Sequence, residues 1–358
     1  MTLSQRLRDI DWIDVWLWIF RILIIVGVVI GIVRKLFFGA GTAYGVDDWL
    51  DFFISGLSQG GLYALIALGY TMVYGVLFMI NFAHGEFFMS GGMAATYLVA
   101  STLAATGFMN EQPIIYLVLV MVFSVLTSMS VSLLTERIAY RPLRRAPRLV
   151  PLITAIGASF FWQYIFRGFF GSAVKAFPVP TILEGRVNVL GLDFLKVRLM
   201  VIIVSIVALI ALYLFVQKTK TGKSIRAVAE DKDVAALMGI DVDRAIATTF
   251  AVGAMMAGIA AVLWGLVFKQ VIFSMGFVPG IKAFTAAVLG GIGSIPGAAL
   301  GGFFLGVIEA VGPPLILEGL GAPGAHQLKD VTAFLLLVLV LIFRPQGIIG
   351  ERLAEKKA

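Results

Sequence analysis

Apolar runs of membrane-spanning length recur along this chain, separated by short polar breaks. They lie at about 12–40, 52–74, 86–106, 114–134, 149–172, 197–217 and 245–268, each near the roughly 20 residues a helix needs to cross a bilayer. A Gly-rich pair follows at about 281–293 and 296–312, and a last run at 331–345. The pattern predicts an all-α polytopic membrane helix bundle of about 9–10 membrane segments, with the Gly-rich pair as a broken or re-entrant hairpin. Residues 47–358 are expected to form one membrane domain, preceded by an N-terminal extension, 1–46, with an extra transmembrane helix. That first run is too long for the h-region of a signal peptide, about 7–15 residues, and Asp9, Asp11 and Asp14 spoil a positive n-region at Arg6 and Arg8. It is therefore read as a retained helix, with Gly27 and Gly31 spaced for close helix contact.

Composition narrows the class. At 358 residues, 60% hydrophobic and 14% charged, with mean hydropathy +0.98, the chain is too apolar for a soluble globule, whose charged share is about a quarter. The absence of cysteine excludes disulfides and thiolate metal sites, and two histidines leave little for a metal centre. No metal or cofactor is expected. The net charge of +7 sits mainly in short segments between apolar spans, so it is an orientation signal and not a nucleic-acid footprint. Glu136 to Arg148 carries five Arg in 13 residues and reads as cytoplasmic. Alternation then puts the N-terminus and the 218–244 loop inside, the 173–196 loop outside and the C-terminal ERLAEKKA inside. A C-terminus inside requires the Gly-rich pair to enter and return.

Three polar or irregular stretches carry candidate chemistry. In Gly280 to Ala310, Gly293, Gly297 and Gly301 recur every four residues with Pro296 expected to break the helix between the first two. Broken backbone at membrane depth survives only when buried in protein or lining a cavity. Glu309 and Lys282, near the ends of their apolar runs, read as snorkelling interfacial residues. In Met79 to Gly92, Asn81, His84 and Glu86 interrupt apolar sequence, which reads as a hydrogen-bonded helix break more readily than as a proton relay. The pathway lining is sought among Asn81, Phe82, His84, Glu86, Thr285, Gly290, Gly293 and Gly297.

Lys218 to Arg244 is the third. Six Lys or Arg and five Asp or Glu fall in its 27 residues, yet apolar residues recur at helical spacing. Asp231 is a suitable N-cap, Asp233 lies in the first turn, Val234, Leu237 and Met238 form a stripe, and Gly239 supplies the stop. Upstream, Ile225, Val228 and Ala229 share a second face. Thr221 to Ser224 imitates the end of a P-loop, but Gln217 stands where its earlier glycine belongs. The chain is not expected to hydrolyse ATP.

Gly56 to Gly92, Glu136 to Phe161 and Gly280 to Gly302, in this order, resemble the LivH-type permease subunit of branched-chain amino acid ABC importers. The similarity covers about residue 50 to the C-terminus, and the Tyr and Pro of Ala139 to Arg148 favour the amino-acid branch over the related urea permeases. The loop at 218–244 is similar to the coupling loop of ABC importers, whose pattern is Glu-Ala-Ala, three residues, Gly. Aligned on Gly239, this chain has Asp233 and Val234 in place of the Glu and the first Ala. The resemblance implies an ATPase-coupling role for Glu230, Asp233, Ala235, Ala236, Met238 and Gly239. It also implies two cytosolic ATPase subunits, a second homologous permease of the LivM type, and a periplasmic binding protein delivering leucine, isoleucine or valine at a bacterial inner membrane. The alternatives are another small-solute permease, such as one for urea, and an autonomous ion-coupled carrier, which would place paired charges or broken helices at the midplane.

Overall fold

A computed structural model of the chain describes residues 12–39, 41–144, 146–147, 149–189, 192–343 and 347–349. The sequence features at Arg6, Arg8, Asp9, Asp11, Arg145, Arg148 and the C-terminal ERLAEKKA lie outside the described residues. The apolar runs become helices: α1 Trp12–Phe38, α2 Val46–Leu77, α3 His84–Ala105, α4 Pro113–Leu143, α5 Leu149–Phe170 and α6 Lys196–Lys218. Two short helices follow, α7 Lys220–Glu230 and α8 Lys232–Leu237, and then α9 Val242–Phe268, α10 Phe277–Gly290, α11 Ile295–Leu317 and α12 Lys329–Phe343. Among the described residues, seven helices from α2 to α11 are long and apolar enough to cross a membrane, while α10, with 14 residues, is shorter. Among the described residues, strand is confined to two small antiparallel pairs. Lys175–Ala176 pairs with Gln270–Val271, and Arg186–Val189 with Leu192–Leu195.

The helices run alternately up and down. Arg141 and Arg144 both bind Asp243, and Arg144 also binds Glu136, so the end of α4 and the start of α9 share one face with α7 and α8. At the opposite face, Lys35 at the end of α1 bonds Glu318 just beyond α11 at 2.7 Å. Arg21 donates to the Ile342 carbonyl at 3.1 Å, which sets α1 antiparallel to α12.

Helix α2 is the centre of the bundle. From Gly60 to Val73 every residue is buried, so its apolar surface extends all round, as expected of a helix enclosed by others. Its start is fixed by the Asp48 carboxylate, which accepts from the Gly45 N–H at 2.9 Å. Glycines let α11 lie directly on it. A Cβ at Gly306 would stand 2.2 Å from the Gly60 nitrogen, and one at Gly302 2.4 Å from the Ala64 Cα. Without a hydrophobic drive between helices in lipid, such close approach supplies packing energy through dispersion.

The Gly-rich region departs from the sequence expectation in detail. Gly293 does not share a helix face with Gly297 and Gly301: it sits in the α10–α11 turn at φ +99°. Pro296 starts α11 and breaks nothing, because its missing N–H falls among the donors that a first turn leaves free anyway. The Ser294 hydroxyl caps that turn by accepting from Gly297 N–H at 3.2 Å. Gly297 and Gly301 do pack closely, against the Gly290 and Ala286 carbonyls of α10. In α1, Gly31 meets the Ile316 backbone, whereas Gly27 has nothing within 4 Å.

Candidate functional site

Two surfaces and one interior break hold the polar residues. The first surface is α7–α8. The Thr219 hydroxyl accepts from Gly222 N–H at 3.0 Å and starts α7. The Asp231 carboxylate accepts from Asp233 and Val234 N–H at 2.9 and 3.0 Å and starts α8. Gly239, at φ +81°, ends it, and Asp241 starts α9 by accepting from Arg244 N–H at 3.0 Å. Side-chain caps thus begin three consecutive helices, each satisfying donors that would otherwise be free. Ile225, Val228 and Ala235 turn inward and are buried. The expected second face, with Ile225 and Val228, is thereby spent on the chain's own bundle. Val234, Leu237 and Met238 stay outside at 54%, 87% and 78% exposed. Glu230, Asp233, Ala236 and Gly239 are exposed beside them. Burial, with the Arg144 charge adding to it, lowers the Lys232 ammonium from its usual range.

The interior break lies between α2 and α3. The Asn81 carboxamide oxygen accepts from the Tyr140 hydroxyl at 2.5 Å and from Ala83 N–H at 3.0 Å, satisfying a backbone donor in the gap. The Ser159 hydroxyl donates to Glu86 at 3.0 Å, in the first turn of α3 where the helix dipole favours a carboxylate. His84 packs on Gly69 of α2 and edge-on to Tyr70, with ring centroids 4.8 Å apart. Asn81, His84 and Glu86 are all at most 2% exposed. Phe82 lines an apolar cavity of about 310 Å³ together with Tyr70, Ser159 and Phe277. Thr285 is buried on α10 with its hydroxyl donating to the Ile281 carbonyl at 2.9 Å, Gly290 and Gly297 form a backbone-to-backbone contact, and Gly293 is exposed in its turn. These residues therefore fall into separate packing roles, and of them Phe82 alone is among the lining residues of this cavity.

The second surface was hidden in the sequence. Lys282 and Glu309, expected to snorkel, are instead buried at 4% and 2% exposure and paired at 2.7 Å. Sequence spacing puts each near a helix end, but side chains of the neighbouring helices α2 and α12 meet them there. Lys282 also bonds Asp330 at 2.6 Å and approaches the Tyr63 hydroxyl at 3.4 Å. Gln59, one helical turn before Tyr63, donates to that hydroxyl at 2.7 Å and to Glu309 at 3.1 Å. This satisfaction by several partners is what makes buried charge tolerable in a low-dielectric interior. Lys282, Asp330, Tyr63 and Gln59 line a cavity of about 290 Å³ at the face opposite α7–α8. Intramembrane charge was the available signal for this cluster, while nothing in the sequence pattern set Gln59, Tyr63, Trp264 or Asp330 apart.

Near the same face, the Glu318 carboxyl ties α1 to the bundle. Burial raises it, but hydrogen bonds from Lys35 and Tyr44, at 2.7 and 2.8 Å, outweigh that and hold it below the usual carboxylate range.

A bundle of alternating apolar helices with a firmly capped, outward-facing helix at one face and a polar cavity at the other defines a multi-pass membrane protein of the permease class. The family described as branched-chain amino acid transport system, permease component, matches residues 52–341, and the chain belongs to it. The high-affinity branched-chain amino acid transport system permease protein BraD of Pseudomonas aeruginosa is 43% identical over 316 residues, covering 87% of this chain and 99% of that protein. The LivH permease protein of the corresponding system in Escherichia coli K12 is 39% identical, covering 86% and 97%. A probable LivH permease of Methanocaldococcus jannaschii is 26% identical, covering 81% and 89%. Helix α1 precedes the matched residues.

Proposed function

We propose that this chain is the non-catalytic permease subunit of an ATP-driven importer of branched-chain amino acids in a bacterial cytoplasmic membrane. The observation that carries the reading is α8. In a member of this permease family, an exposed apolar stripe on a short capped helix, beside the arginine-rich end of α4, is suited to docking in a groove of a cytosolic ATPase. Arginine at that face also favours its cytoplasmic placement by the positive-inside rule. The N-terminus and C-terminus then lie inside, and the α10–α11 hairpin enters and returns. Two ATPase subunits, a second homologous permease and a periplasmic binding protein complete the assembly. Residues 47–358 form the membrane domain and 1–46 an added anchoring helix.

The mechanism follows from mechanics and not from bond chemistry. ATP binding and hydrolysis by the partners move α8, which is joined to α9 by a short connection whose Ile240 N–H donates to the Ala235 carbonyl of α8 at 3.0 Å, and α9 shifts as a rigid body against α2 and α4. Reconstitution of the chain with a homologous permease, ATPases and binding protein into liposomes tests the reading. Leucine uptake that needs both ATP and the binding protein is expected. Uptake by the chain alone, driven by an ion gradient, would replace it with the carrier reading.

A further inference from the structure

The 290 Å³ cavity at the face opposite α7–α8 combines two kinds of wall. One end is charged. Lys329 and Asp330 begin α12 side by side, and both line the cavity. The Asp330 side chain is 49% exposed, and one of its oxygens is held by Lys282 at 2.6 Å. Among the described residues Lys329 has no ion-pair partner, and its side chain is exposed. Lys282 is in turn balanced from behind by buried Glu309, whose second oxygen has no hydrogen-bond partner. With Glu309 counted from behind, the two lysines and two carboxylates sum to zero charge, and the charged groups that line the wall itself are Lys282, Lys329 and Asp330. The other end is apolar, built from Trp264, Phe268, Ile272 and Met275.

We infer that this cavity is a transit site for the amino acid itself, in which Asp330 accepts the α-ammonium, Lys329 pairs with the α-carboxylate, and the Trp264–Phe268 end takes the aliphatic side chain. The inference rests on the import reading above and deepens it by naming where the solute sits. Asp330 and Lys329, adjacent groups of opposite sign, favour a zwitterion: a lone cation or anion satisfies one of the two and leaves the other poorly paired, which is costly away from bulk water. The volume, at the small end of ligand pockets of about 300 Å³ and upward, suits one small molecule. Lys282 and Glu309 are positioning residues. They hold the Asp330 carboxylate at the wall without needing to touch the solute.

The chain has no cysteine, so one can be added as a reporter. In the permease–ATPase complex in nanodiscs, Ser274→Cys on the cavity wall is labelled with a charged thiol reagent, and labelling of this chain is followed by mass. Saturating leucine should slow it at least fivefold. The two analogues that each lack one charge, 4-methylpentanoate and 3-methylbutylamine, should slow it less than twofold. Thr181→Cys, exposed and outside the cavity lining, should be labelled at the same rate throughout. Adding Asp330→Asn, or separately Lys329→Met, should abolish the protection by leucine. Equal protection by the three compounds, or protection that survives both substitutions, overturns the site. If the wild-type complex imports leucine while Ser274→Cys is unprotected, the site falls and the import reading stands. If the complex imports a solute of another class and no branched-chain amino acid, the reading falls and takes the site with it.

Discussion

Leu237 gives the sharpest test of the docking surface. Its side chain is 87% exposed in this chain, and Met238 beside it 78%. An apolar residue that touches almost nothing of its own fold contributes little to that fold, so Leu237→Ala should change the stability of the isolated permease by no more than about 0.5 kcal/mol. Docking reverses the situation. Burying a leucine side chain in a partner groove is worth about 1.5–3 kcal/mol, and losing about 2 kcal/mol weakens association roughly 30-fold, since 1.4 kcal/mol is tenfold. The assay is a titration of ATPase subunit onto nanodisc-held permease, with thermal melts of the free permease in parallel. Wild-type affinity in Leu237→Ala would refute the docking argument. A fall of several degrees in the melt of the free variant would refute the premise that the side chain is unpartnered.

Three further outcomes follow from the packing and the charges. Lys282→Met leaves Glu309 buried without its cation and should cost about 3–5 kcal/mol, whereas Lys282→Met with Glu309→Leu removes both charges and should recover most of it. Thermal melts in detergent compare the two, and a double variant no better than the single would show that the pair is not what the site depends on. Gly306→Val should destabilise by about 1–3 kcal/mol or more through overpacking, because its Cβ would meet the α2 backbone. Gly157→Val, with nothing within 4 Å of its Cβ, is the neutral control in the same expression and melting series. For Glu318 the folded carboxyl lies below its unfolded value, so its contribution is fully present above the usual carboxylate range and is lost as pH falls through the folded pKa. The gap in melting temperature between wild type and Glu318→Gln should therefore be widest near neutral pH and shrink on acidification. A gap that does not change with pH would remove the linkage.

The spans were legible because a bilayer imposes a length on every helix that crosses it. The runs read at 52–74, 149–172, 197–217 and 245–268 became helices within a few residues at most ends. Helix α2 is the exception in extent, starting at Val46, six residues before the apolar run, so that the acidic Asp47 and Asp48 fall within it. They sit in its first turn, where the macrodipole and the Asp48 cap favour them. The α8 caps and stripe were legible for the same reason that spans are. N-cap, first-turn acid and αL stop are local rules, and no distant residue is needed to satisfy them. Pro296 was misread because periodicity alone cannot tell a proline that breaks a helix from one that begins it.

The charged cavity was illegible because it is a tertiary object. Gln59, Tyr63, Lys282, Glu309 and Asp330 come from four helices and meet only because glycines allow α11 to lie against α2 at backbone distance. The two faces are spanned by a single helix. Helix α9 begins at the Asp241 cap beside α8 and, about 33 and 39 Å on at 1.5 Å per residue, carries Trp264 and Phe268 into the cavity wall. Along the way Ser124 and Ser132 of α4 donate to the Gly258 and Phe250 carbonyls at 2.8 and 3.1 Å, and Gly253 faces Gly69 of α2. A helix held by small residues and side-chain hydrogen bonds moves as one body or not at all. One continuous helix therefore runs from the face that carries α8 to the cavity at the opposite face.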